Sequence, residues 1–188
     1  MCVIQVWNDG RLTSVDSYPR ALANALPLNM KPEHITLEEF WYASAQAAQN
    51  GVDKPKFRKL VKELESLPKT QERLFFQLLE TLEKDPEATC DFPLIAQLRI
   101  WRRKVESKRL LLSVPRIERL LIRHFDNLPQ IRDSEACLSI PMLLSLVQEA
   151  DPSRLADIIA VLKAKKVEPG DPRHQIVSNF EDSLGEAL

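Results

Sequence analysis

The sequence predicts a mainly α-helical fold, a compact bundle of about seven or eight helices with a small β-hairpin at its N-terminus. Three observations carry that prediction. Glycine is scarce (4) and proline plentiful (13), a balance that suits helices punctuated at their first turns and disfavours a Gly-rich sandwich or barrel. From Thr36 onward, apolar residues recur at helical spacing. Period-two alternation is confined to residues 2–18.

That first stretch reads CVIQVWNDGRLTSVDSY. Val3, Gln5 and Trp7 alternate with Cys2, Ile4 and Val6, and Leu12, Thr13 and Val15 resume after Asn8-Asp9-Gly10. Asp-Gly between two β-rich runs predicts a hairpin, since these residues tolerate the positive φ of a tight turn. An isolated hairpin is marginal in water, so it requires helices or a partner to pack on.

A Pro-rich connector spans Pro19 to Pro32. Thr36-Leu37-Glu38-Glu39 is a capping-box start for a helix ending near Asn50, before Gly51. Asp53 and Pro55 open a second helix with Phe57, Leu60, Val61 and Leu64 on one face. Thr70 opens a third, carrying Leu74, Leu78, Leu79 and Leu82. A fourth starts at Asp91-Phe92-Pro93, turns Leu94, Leu98, Trp101 and Val105 inward and extends to about Leu112, and Pro115 starts a fifth. Pro141 and Pro152 begin two more, and Pro169-Gly170-Asp171-Pro172 breaks the chain before a short acidic end. The expected organisation is a hairpin over 1–18, a helical domain over 33–168 and a C-terminal segment over 171–188.

Composition narrows the function. A chain of 188 residues, 44% apolar and 28% charged, is an ordinary globular domain. Its formal net charge of −1 excludes a polycation, so any nucleic-acid footprint must be local. Cys2, Cys90 and Cys137 are an odd, widely spaced set without CxxC, which predicts a reduced compartment: cytoplasm, or nucleus in a eukaryote. No basic stretch leads into an apolar run at the N-terminus, and no apolar run approaches the roughly 20 residues of a membrane span, so neither a leader nor membrane contact is expected. His34, His124 and His174 are too scattered for a metal site, and no P-loop, GxGxxG, GxSxG or HExxH occurs. No cofactor is expected.

Two basic segments stand out. QAAQNGVDKPKFRKLVKEL, residues 46–64, has Ala47 four before Gly51, Val52 after it, and Phe57 and Leu60 six and nine beyond. This spacing resembles the helix-turn-helix of many bacterial transcription regulators, with the motif-like region spanning 36–65; Gln46 and Asn50 depart from its apolar pattern. The resemblance implies DNA binding through the second helix, from which Lys54, Lys56, Arg58, Lys59 and Lys62 project. Arg58 is the natural guanine reader and the lysines suit phosphates.

The second segment, Arg99 to His124, holds Arg99, Arg102, Arg103, Lys104, Lys108, Arg109, Arg116, Arg119 and Arg123 against Glu106 and Glu118. Guanidinium groups suit bidentate phosphate contacts, which makes Arg99, Arg102, Arg103, Arg109, Arg116, Arg119 and Arg123 backbone-binding candidates. The competing expectation pairs these arginines with the acids between Glu63 and Glu87.

Within this segment, Arg119 and His124 fit R-x4-H, which resembles the ribonuclease motif of the HEPN superfamily. That resemblance implies proton transfer by His124 and charge stabilisation by Arg119, although Leu120 replaces the usual polar residue. Met1-Cys2 is similar to the N-terminal nucleophile of class II glutamine amidotransferases, but Val3 replaces Gly and the helical remainder cannot build that fold. The preferred expectation is therefore a non-enzymatic, nucleic-acid-binding protein, for DNA in preference to RNA, acting within a larger protein complex or as an oligomer. Its alternative is a helical protein–protein adaptor without nucleic-acid contact.

Overall fold

Thr36 and Glu39 open the first helix with the capping box that the sequence predicts. The Glu39 N–H donates to the Thr36 hydroxyl at 3.1 Å and the Thr36 N–H donates to the Glu39 carboxylate at 2.7 Å. The structure is a computed structural model that describes residues 31–50, 54–85, 92–127 and 138–185. The predicted hairpin of residues 1–18 lies outside the described residues. Those residues are mainly helical, with eight helices and no strand among them. No helix among them is long and apolar enough to cross a membrane, and no group of His, Cys, Asp or Glu among them could hold a metal ion.

The chain divides into two compact units, residues 1–78 and 79–188. The first holds α1 (Leu37–Asn50), α2 (Lys54–Glu65) and the start of α3 (Pro68–Lys84). Apolar periodicity places Phe57, Leu60, Val61 and Leu64 along one side of α2, where Leu64 is buried and Phe57 meets Phe40 of α1 at 5.6 Å between ring centroids. Where α2 stops, the Leu67 N–H donates to Leu64 O at 3.0 Å and the buried Gln71 amide donates to the same carbonyl, closing orphan groups at the helix end. Arg73 donates from Nη2 to Ile35 O at 2.7 Å, tying the segment before α1 to α3. The third helix begins at Pro68, two residues ahead of the predicted Thr70, because proline is at ease in a first turn.

The second unit holds the end of α3 together with α4 (Phe92–Arg102), α5 (Ser107–Asn127), α6 (Ser139–Ala150), α7 (Pro152–Ala164) and α8 (Arg173–Gly185). The sequence of α6, SIPMLLSLVQEA, is apolar nearly all round, and such a helix belongs inside. It packs on α4, α5, α7 and α8 and buries Ile140, Leu143, Leu144, Leu146 and Val147. Asp151 caps α7 by accepting from the N–H groups of Ser153 (3.2 Å) and Arg154 (3.3 Å), with Pro152 next to it in the first turn. Asp171 and Pro172 repeat that arrangement before α8, where the Arg173 N–H donates to Asp171 at 2.9 Å. The end predicted as a short segment is a helix of 13 residues that buries Val177.

One predicted boundary moves. The expected fourth helix continuing to Leu112 instead ends at Arg102, and α5 runs through Pro115. Tight bonds from Lys104 N–H to Trp101 O and from Val105 N–H to Arg102 O, both 3.0 Å, close α4 and bury Val105. Pro115 lies on the exposed side of α5, where its missing N–H leaves the Leu111 carbonyl to water at low cost.

Candidate nucleic-acid interface

On α2 every predicted contact residue is exposed: Lys54, Lys56, Arg58, Lys59 and Lys62. Lys54, Arg58 and Lys62 recur at i, i+4 and i+8, so they form a row on one side of the helix with about 6 Å between successive positions. Lys59 faces Glu63 at 3.7 Å across an exposed pair, an interaction worth about 0.3–0.5 kcal/mol that leaves the lysine free to exchange partners. Arg58 and Lys62 form no ion pair among the described residues. Ala47, on α1, is only 1% exposed. None of the large apolar side chains exposed among the described residues lies on α2. The outward face of this helix is therefore mainly cationic, with Pro55 as its one exposed apolar residue.

The Arg-rich segment is divided in use. Arg116 donates to the Glu83 carboxylate from Nε at 2.9 Å and from Nη2 at 2.6 Å, Arg119 reaches its other oxygen at 3.2 Å, and Arg123 donates to the Glu83 carbonyl at 2.6 Å. Glu83 lies in the last turn of α3, where orphan carbonyls and the helix dipole both favour cations. The expected Arg stripe thus exists, and it is directed at an acid of its own chain. Arg102 is 7% exposed and pairs with Glu149. Burial pulls the Arg102 pKa down, and the charges of Arg99 and Arg103 add to that effect. Arg99 is half-buried, with an Nε that has no acceptor. Arg103 and Arg109 remain exposed, as do Lys104 and Lys108 beside them.

His124 is fully buried, whereas Arg119 lies on the outer side of α5 with 66% of its side chain exposed. The two residues of the R-x4-H spacing are not brought to a common surface. Leu111 (46% exposed) and Leu112 (72% exposed) lie between the cations of α5 and were missed from the sequence alone. Their signal was a second apolar stripe opposite the core stripe, visible only when the helix is read as continuous through Pro115.

Comparison with protein-family models, curated proteins and solved structures finds no match for this chain.

Proposed function

We propose that this chain is a non-enzymatic nucleic-acid-binding protein whose contact surface is the outward face of α2. The observation that carries the proposal is the exposure of Lys54, Lys56, Arg58, Lys59 and Lys62 on one short helix, with Glu63 and Glu65 only at its end. A phosphate backbone offers regularly spaced anions and little apolar surface, which suits a mainly cationic face. In this reading Arg58, in mid-helix, takes the bidentate recognition of guanine, and the lysines act as phosphate contacts. Duplex DNA is the preferred ligand, because an α-helix fits its major groove and not the narrow one of duplex RNA.

The interface is narrower than the sequence alone suggests. Arg102, Arg116 and Arg123 are engaged inside the fold, so the reading rests on α2, with Arg103 and Arg109 exposed elsewhere. The test is fluorescence anisotropy with a labelled DNA duplex at low salt. Arg58→Glu with Lys62→Glu should abolish binding while circular dichroism stays unchanged. Arg103→Glu with Lys104→Glu reverses an equal charge elsewhere and should leave binding nearly intact. Equal losses from both pairs, or no binding by the native chain, would refute the proposal.

A further inference from the structure

The outer face of α5 differs in kind from that of α2. Lys108, Leu111, Leu112, Pro115, Arg119 and Ile122 fall at i, i+3, i+4, i+7, i+11 and i+14, a single stripe along the side away from the core. Leu112 is 72% exposed and Leu111 46%. At the N-terminal end of the stripe, the turn after α4 presents Arg103 and Lys104, and Ile100 in the last turn of α4 is 59% exposed. Arg103, Lys104 and Lys108 form no ion pair among the described residues. An apolar strip one helix wide is thus headed by three uncommitted cations.

We infer that this face docks an acidic amphipathic helix of a partner protein. Such a helix brings leucine-like side chains at matching spacing for Leu111 and Leu112, and carboxylates for Arg103, Lys104 and Lys108. Two other occupants each fail one half of that description. A nucleic-acid backbone has no apolar surface to cover two leucines. A second copy of this chain would set the same cations against themselves. The inference does not depend on the proposed role of α2, because it involves a different surface and different residues.

The test uses the full chain and a synthetic helical peptide with leucines at i, i+3, i+4 and i+7 flanked by glutamates. Binding by anisotropy is expected, and it should persist in part at high salt because apolar contact is not screened. A peptide with the same composition but scrambled leucines, and one with lysines for glutamates, should bind at least about tenfold more weakly. Leu111→Glu with Leu112→Glu should abolish binding without changing the circular dichroism spectrum, since both side chains are exposed. Arg103→Glu with Lys104→Glu should weaken it and leave α2-dependent DNA binding alone. Absence of peptide binding overturns the inference. So does loss, on the leucine substitutions, of binding to phosphatidylserine vesicles, of binding to DNA, or of self-association in sedimentation, in place of peptide binding.

Discussion

Arg116 grips Glu83 through two donors, Nε at 2.9 Å and Nη2 at 2.6 Å, and so fixes the side of α5 to the last turn of α3 within one unit of the chain. Both side chains are largely withdrawn from water, at 30% and 21% exposure, and Arg119 and Arg123 converge on the same residue. A residue whose carboxylate takes two arginines and whose carbonyl takes a third is part of the fold's framework. Removing the carboxylate leaves the half-buried Arg116 without its acceptor, which is the costly half of breaking such a pair.

Glu83→Ala is therefore expected to lower stability by about 2 kcal/mol, read from the urea midpoint of the native chain and the variant. DNA affinity should not fall, because the freed arginines add positive charge. A stable variant that loses DNA binding would place Glu83 and its arginines in the interface instead.

Asp171 gives the chain a pH-dependent bond. Its carboxylate takes Arg173 Nε at 2.9 Å and Nη2 at 2.8 Å, while Arg173 Nη1 donates to Phe125 O at 2.8 Å at the end of α5. The side-chain hydrogen bonds of Arg173 chiefly hold the Asp171 pKa below its ordinary value, with the Arg173 N–H and charge adding to them. A lowered folded pKa contributes stability that is present above the unfolded value, near 4, and is lost as pH falls through the folded one. Asp171→Asn should cost about 3 kcal/mol at neutral pH, because Arg173 is buried and loses its counter-ion. The difference between variant and native should close below about pH 4 in denaturation profiles. A gap that is constant down to pH 2 contradicts the assignment.

Ala47 tests the packing of α1 in the unit that carries α2. Its side chain is 1% exposed, so there is no room for three more carbons. Ala47→Leu is expected to destabilise by about 1–3 kcal/mol and to reduce DNA binding together with it, whereas Ala47→Gly should cost less and retain binding. Thermal unfolding and anisotropy on the same samples separate these outcomes.

Local signals were readable from the sequence where the interacting groups are near neighbours in the chain. Thr36 and Glu39 lie three residues apart, and Pro152 stands in the first turn of α7, so both helix starts could be named from residue type and spacing alone. The apolar stripes of α3 and α7 were equally legible, since Leu74, Leu78, Leu79 and Leu82 and then Leu155, Ile158, Ile159 and Leu162 are all buried. The division of the arginines was not legible. Arg116, Arg119 and Arg123 find Glu83 from 33 to 40 positions away, and no local rule says which acid a cation will meet. The break after Arg102 carries no glycine or proline, because it is set by the burial of Val105 and not by a turn residue.

Thr36→Ala removes one half of the capping box and should cost about 1 kcal/mol, with Thr36→Ser restoring most of it. The comparison of the two variants by urea denaturation isolates the hydroxyl's bond from side-chain packing. Equal stability of Ala and native forms would mean that the Glu39 carboxylate alone satisfies this helix start.

The most direct test of the central claim is the salt dependence of DNA binding, measured for the native chain and for Arg58→Ala with Lys62→Ala. With about four phosphates neutralised by α2, affinity should fall roughly a hundredfold between about 50 and 200 mM salt. Removing two of those cations should flatten the slope of log K against log salt by about 2. A native slope near zero, or one that the two substitutions leave unchanged, contradicts the assignment of α2 as the nucleic-acid surface.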